Sequence, residues 1–226
     1  MLCSVCKETI KPVVAIDIDG TMGDYHGHFL RFASEYTGQG IERVLEGSLS
    51  MYTGSNAFSV YCCQLFGISI SEYRQIKLAY RQAGMKRSMP IIEGSRQICK
   101  MVTDEGAELW VTTTRPYLSL DNIVPDTTAW LDRHMIGFDH MLFDADKYAV
   151  LADRVDSGRV VAVLDDLPEM IQAAAKQFGK DIPVLITGKF NKTVGAVNMA
   201  TLVEAIPVVR DRIRAWKEKH DYRSVR

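Results

Sequence analysis

The sequence predicts an α/β protein built on a parallel β-sheet with helices on both faces. Three observations predict it. Short apolar runs end abruptly in acids, as in "VVAI" before Asp17 and "VVAVL" before Asp165. After Pro90, strand-like segments alternate with helix-like segments of roughly 10 to 13 residues. Between Tyr25 and Met89, by contrast, no strand alternation is present and helix-like blocks dominate.

Taken in order, "VVAI" is a buried strand that runs into a loop at Asp17. The stretch from Tyr25 to Met89 reads as a helical insertion, in which "SEYRQIKLAYRQAG" carries Ser71 as its N-cap and Gly84 as its stop. The chain therefore divides into a core of residues 1–24 and 90–226 and a small helical cap of residues 25–89, inserted after the first strand. Past Pro90, "GSRQICKMVTDEG" places Ile98, Met101 and Val102 at helical spacing behind a Ser95 cap, and "AELWVTTT" follows as a strand. Next come a helix in "DTTAWLDRHM", a short strand in "HMLF" and an apolar strand in "VVAVLDD". "EMIQAAAKQFG" is a helix closed by Gly179, and "IPVLIT" is one more strand. The C-terminal "VVRDRIRAWKEKHDYRSVR" is basic and amphipathic, with Val209, Ile213 and Trp216 on one stripe that docks on the sheet. Nucleic-acid binding is the alternative use of its charge.

The bulk numbers set outer bounds. A chain of 226 residues suits one core with an inserted subdomain. Its 47% hydrophobic content and net charge of -1 argue against a disordered chain and against a whole-molecule nucleic-acid binder. No apolar run reaches bilayer length and the N-terminus has no signal-like apolar region, so a cytoplasmic location is expected. The odd cysteine count and the adjacent Cys62 and Cys63 disfavour a disulfide framework. Cys3 and Cys6 form a CxxC without a second such pair, which fits a reduced N-terminal segment better than a zinc knuckle.

Polar residues gather at the predicted strand ends, where parallel sheets bind their ligands. They are Asp17 and Asp19, Thr112 to Arg115, Lys147, and Asp165 with Asp166. Four carboxylates on one rim cannot all ionise without a cation. Mg²⁺, commonly held by one or two carboxylates plus substrate phosphate, meets that need and points to phosphoryl chemistry. Asp17 would attack phosphorus and form an aspartyl-phosphate, and Asp19 would serve as acid and base. Gly20 permits the sharp turn beside the substrate. Thr113 would bond a phosphoryl oxygen, with Thr114 and Arg115 on the substrate side. Lys147 is the only lysine between Met101 and Ala175 and would neutralise the phosphoryl group and hold Asp17. No P-loop or GxGxxG is present to support a kinase or a dinucleotide enzyme.

"DIDGT", "VTTTR", the lone lysine and "VLDD", in that order, resemble the four signature motifs of the haloacid dehalogenase-like phosphatases. The resemblance covers Val13 to Asn191 and implies a Rossmann-like core. It also implies Mg²⁺ on the side chain of Asp17, the backbone carbonyl of Asp19 and the acids Asp165 and Asp166, leaving open which of the last two ligates directly. More narrowly, "DIDGTMGDYHGHFLRF" is similar to the opening of the 5'(3')-deoxyribonucleotidases, with Asp24, Tyr25, Gly27, Phe29, Leu30 and Arg31 at the matching positions. Asp146 with Lys147, "DDLPEMI" and Phe190-Asn191 extend the match. This implies a small phosphate ester, a nucleotide, as substrate, with Tyr25 lining the base pocket. Departures occur at Ala145, where the family commonly has arginine, and at Thr113-Thr114-Arg115-Pro116, where it usually has Thr-Ser-Pro. Two rival readings are a nucleic-acid 3'-end phosphatase guided by the basic C-terminal helix and a non-catalytic zinc or partner-binding module using the cysteines.

Overall fold

The computed structural model describes residues 10–40, 57–114, 119–187 and 199–221. Its centre is a six-stranded, all-parallel sheet: β1 (Val13–Ile16), β2 (Glu108–Thr113), β3 (His140–Phe143), β4 (Val160–Asp165), β5 (Pro183–Ile186) and β6 (Met199–Ala200). The spatial order is β3-β2-β1-β4-β5-β6. The chain thus winds from β1 to one edge and returns to place β4 on the other side of β1. That reversal opens a crevice outside the carboxyl ends of β1 and β4.

The central strands are apolar without alternation because both of their faces are covered. Val13, Ala15, Trp110, Val160 and Val163 pack under α6 (Lys147–Arg154) and α7 (Pro168–Phe178) through Tyr148, Leu151 and Ala174. On the opposite face Val14, Ile16, Val111 and Leu164 meet α4 (Ser95–Asp104), α5 (Ile123–Arg133) and α8 (Leu202–Asp221). Val209 and Ile213 of α8 are fully buried, as the stripe predicts. Its arginines are engaged within the chain: Arg210 and Arg214 pair with Glu105, and Arg212 donates to the Ile182 carbonyl. Among the described residues no helix is long and apolar enough to cross a membrane.

Between β1 and β2 lie α1 (Tyr25–Thr37), α2 (Ala57–Phe66), α3 (Ile70–Gln82) and a 3-10 helix (Met85–Ser88). Ser71 is not the N-cap of α3. Ser69 is, because Glu72 stands three residues on and completes a reciprocal capping box, which Ser71 has no partner to form. Likewise Gly94, at φ 88°, precedes α4, and Ser95 is its first residue, donating to the carbonyls of Ile92 and Met22. Helix α5 starts a turn earlier than its apolar spacing suggests, since Pro125 is tolerated in a first turn. Helix α6 and the two-residue strand β6 carry too little periodicity to be read from sequence.

The two linkers of the helical segment run side by side. Asp24 N donates to Pro90 O, and Ile92 N to Met22 O, each over 2.8 Å. Trp130 of α5 locks the return linker from below: it is fully buried and its Nε1 donates to Met89 O over 2.7 Å. Trp130→Ala is expected to lower unfolding free energy by about 3–5 kcal/mol through the cavity it leaves. Urea denaturation checks this, and Trp130→Phe should recover more than half of the loss.

Candidate active site

The sheet register places the predicted residues at one edge. Ile16 pairs with Val111 of β2 and with Leu164 of β4, so Asp17, Thr113 and Asp165 emerge together. Asp17 N continues the ladder to Leu164 O over 3.0 Å, and the residue is only 4% exposed. Lys147, the first residue of α6, brings Nζ to 2.5 Å from Asp17 Oδ1 and 2.7 Å from Asp165 Oδ2. Asp165 Oδ2 also accepts from the Tyr148 hydroxyl at 2.6 Å, and Oδ1 accepts from Leu167 N at 2.9 Å. Both oxygens of Asp165 are therefore occupied by donors of the chain. Its neighbour Asp166 accepts from Thr21 Oγ1 over 3.4 Å and lines the pocket, as Asp17 does and Asp165 does not.

Oxygens of Asp17, Asp165 and Asp166 lie within 4.8 Å of one another, a grouping able to hold a metal ion. Ionised together with Lys147, the three acids would carry a formal charge of -2. Burial first pushes the Asp17 carboxyl up to about 7; the attraction of Lys147 opposes this and the charge of Asp165 adds to it. Burial, then Asp165 and Asp17, hold Asp166 well above the usual carboxylate range. Lys147 stays strongly basic despite its burial because Asp165 and Asp17 favour its charge. A divalent cation with a preference for hard oxygen donors would restore neutrality, so the residues present fit such an ion.

Gly20 is dictated by the approach of Asp166. Its φ is +95°, and a Cβ there would lie 2.1 Å from Asp166 Oδ2 and 2.9 Å from His26 Cε1. The turn it allows folds the amides of Met22 and Gly23 back onto Ile18 O at 3.0 and 2.8 Å. Asp24 then accepts from Gly27 N and caps α1, which accounts for an aspartate at that position.

Above the acids is a cavity of about 410 Å³ lined by Asp17, Asp19, Thr113, Thr114, Lys147 and Asp166 on the sheet side. Asp19 is ion-paired with Lys86 of the 3-10 helix, whose side chain is fully buried and whose ammonium lies 4.0 Å from the Tyr25 ring centroid. Sequence reasoning missed Lys86. In "GMKRSMP" nothing distinguishes it from the adjacent Arg87, which is largely exposed and pairs with Asp126. Tyr25 lines the cavity yet is 7% exposed, packed among Phe29, Phe58 and Tyr80. Phe58 and His26 share the same wall with ring centroids 4.5 Å apart, and burial pushes His26 down to about 4, so its imidazole is neutral near pH 7. Arg115, Cys3, Cys6 and Phe190-Asn191 lie outside the described residues. Cys62 is buried, and that burial pushes its thiol pKa up, favouring the thiol over a metal-binding thiolate.

The chain is similar to known proteins in sequence and in fold. The family model described as "5' nucleotidase, deoxy (Pyrimidine), cytosolic type C protein" matches residues 11–173. A Chlorobaculum tepidum protein assigned as a 5'(3')-deoxyribonucleotidase is 26% identical over 144 residues, which is 62% of this chain and 66%, just under two thirds, of that protein. Among solved structures, a Thermotoga maritima protein assigned as a beta-phosphoglucomutase superposes with a TM-score of 0.59 at 18% identity, covering 88% of this chain and 99% of the other. A haloacid dehalogenase-like hydrolase of Streptococcus pneumoniae superposes with a TM-score of 0.52 at 15% identity, covering 88% and 98%. The fold is that of the haloacid dehalogenase-like hydrolases, and on the match over residues 11–173 the chain belongs to the deoxy (pyrimidine) 5'-nucleotidase, cytosolic type C, family.

Proposed function

We propose that the chain is a Mg²⁺-dependent phosphomonoesterase acting on (deoxy)nucleoside monophosphates. One observation carries the chemistry: Asp17, a buried carboxylate pinned by Lys147, faces a cavity that also holds a second acid with its own lysine. Asp17 attacks phosphorus as the ester P–O bond breaks, and Asp19 gives the leaving oxygen its proton. Asp19 then takes a proton from water, which attacks the aspartyl-phosphate and releases inorganic phosphate and the Asp17 carboxylate. Lys147 holds the nucleophile in line, and Thr113 and Thr114 donate to phosphoryl oxygens. Mg²⁺ supplies positive charge against the phosphoryl group when bound. Asp17, Asp166 and the Asp19 carbonyl would hold it, while Asp165, saturated by Lys147, Tyr148 and Leu167, orients the lysine.

Lys86 is a positioning residue that sets the carboxylate of Asp19 from the cap side. Residues 25–89 act as the cap that closes over substrate and excludes water. Family membership and the aromatic wall of Tyr25, Phe58 and Tyr73 support a nucleotide as substrate, a base stacking where a π face adjoins the phosphate site. The rival in which the C-terminal helix guides a nucleic-acid strand gains nothing from α8, none of whose described residues lines the cavity.

Asp17→Asn should abolish turnover, by about a thousandfold or more, while leaving the far-ultraviolet spectrum intact. Full retained activity on an aryl phosphate would sink the mechanism. In a panel of phosphate esters with Mg²⁺, nucleoside monophosphates should give the highest kcat/KM, and a uniform response across the panel would remove the nucleotide assignment. Lys86→Met should lower kcat by about 10-fold to 100-fold with little change in KM, because it misplaces the acid rather than the binding groups.

The same acids make stability depend on pH. Asp17 and Asp166 titrate higher folded than unfolded. In metal-free protein the folded state therefore keeps protons that the unfolded chain has lost, and stability falls as pH rises from about 4 through about 7. Mg²⁺ binds the ionised acids and reverses this. At about 100 times its Kd it should raise Tm by roughly 5–10 °C at pH 8 and far less at pH 5, as read by thermal melts. An equal shift at both values would contradict the assignment of these acids as ligands.

A further inference from the structure

One face of α5 is turned to the segment that leads from α3 back to the sheet. Asn122, just before the helix, and Asp126 and Trp130 within it follow one another at intervals of four residues and so stand in one row. Each meets a different point of residues 81–89. Asn122 Nδ2 donates to Arg81 O over 2.7 Å, Asp126 Oδ1 accepts from Arg87 Nε, and Trp130 Nε1 donates to Met89 O. Arg133, three residues on, adds a bond of 3.4 Å from Nη1 to Arg87 O. Within this row Asp126 is the member that local structure does not explain. An acid in a first helical turn gains from the dipole while staying in solvent, yet Asp126 is 1% exposed. Its burial is matched by one donor on each oxygen, Arg87 on Oδ1 and Asn122 Nδ2 on Oδ2 at 2.7 Å.

The consequence lies one residue upstream of Arg87. Lys86 and Arg87 are neighbours in the 3-10 helix whose side chains diverge, Arg87 to Asp126 and Lys86 to Asp19. The Lys86 ammonium lies 4.0 Å from the Tyr25 ring centroid and 5.8 Å from that of Tyr80. A lysine ammonium rides on a flexible stem, so its place depends on how firmly the backbone beneath it is held. Gripping Arg87 holds that backbone. Building on the phosphatase reading of the same site, we propose that Asp126, aided by Asn122, is a positioning residue for the reaction. It fixes the 3-10 helix so that Lys86 meets Asp19, and through Lys86 it places the acid that protonates the leaving oxygen. Neither Asp126 nor Asn122 lines the cavity, so any effect on turnover passes through these neighbours.

Asp126→Asn is nearly isosteric, but a carboxamide has one acceptor oxygen where the carboxylate has two, so either Arg87 or Asn122 loses its partner. The first measurement compares kcat/KM with Mg²⁺ for two esters. A nucleoside 5'-monophosphate has an alkoxide leaving group that needs the proton of Asp19, whereas 4-nitrophenyl phosphate releases a phenolate that does not. Asp126→Asn should lower kcat/KM about tenfold or more for the nucleotide and less than about threefold for the aryl ester. Lys86→Met should show the same contrast, and adding Asp126→Asn to it should cost nothing further, because both act along one route. Equal losses on the two esters, or losses that multiply in the double variant, would overturn the proposal. The second measurement needs no turnover: acetylation by acetic anhydride, read by mass spectrometry at Lys86 and Lys147, both of which are buried. In Asp126→Asn the labelling of Lys86 should rise about tenfold while Lys147 stays protected. Lys86 as protected as in the wild type, or both lysines labelled together as general loosening would give, would overturn the proposal. A wild type that hydrolyses neither ester would discard the phosphatase reading, and the labelling would then decide by itself whether Asp126 places Lys86.

Discussion

One ammonium shared among buried acids organises this protein. Lys147 sits between Asp17 and Asp165, and Asp166 is close enough to raise the charge density further. Burying so many like charges is costly, and a single lysine offsets only part of it. Under the proposed function, a divalent cation and the substrate phosphate meet the remainder. The sheet has to supply this geometry rigidly, because β1 and β4 are neighbours only after the chain crosses over and returns. Tyr148 and the Leu167 amide complete the shell around Asp165, so α6 and the turn into α7 belong to the site as much as the strands do.

The helical segment is coupled to that centre through a second buried pair. Lys86 reaches Asp19 from the 3-10 helix on the return linker, with its ammonium against Tyr25. The linkers are hydrogen-bonded to each other, and α5 grips the return linker through Trp130 and the 3-10 helix through Asp126. Asp19 is thereby fixed from the helical segment, whereas Asp17 is fixed from the sheet and α6. Any displacement of the helical segment changes the relation between the two carboxylates, which under the proposed function is a physical route from closure to chemistry.

Much of this was legible beforehand, and the particular residues show why. Asp17, Thr113, Lys147, Asp165 and Asp166 stand at or just past the ends of apolar runs, and such positions converge in any parallel sheet. Gly20 was read as a turn residue, but the stronger reason for glycine is the carboxylate of Asp166 in the space a Cβ would fill. The division of labour between Asp165 and Asp166 was open in the sequence, since adjacent acids look alike until their partners are known. The sequence reading takes Ser71 as the cap of α3, and the box that Glu72 completes with Ser69 places the cap two residues earlier. Lys86 was invisible, since basic residues in helices are ordinarily solvated.

The amino-acid sequence by itself determined the parallel α/β architecture, the order of the four acid, hydroxyl and lysine segments, and the family. Those features are written in local composition: apolar runs long enough for a strand and too short for anything else, each broken by a residue with chemistry. Only the tertiary structure decided which acid faces the cavity and which is spent on Lys147, and which lysine meets Asp19. These depend on where side chains meet across more than a hundred positions of chain, as Lys147 and Asp17 do. Local pattern carries no record of such distances, because burial and pairing are properties of the packed chain.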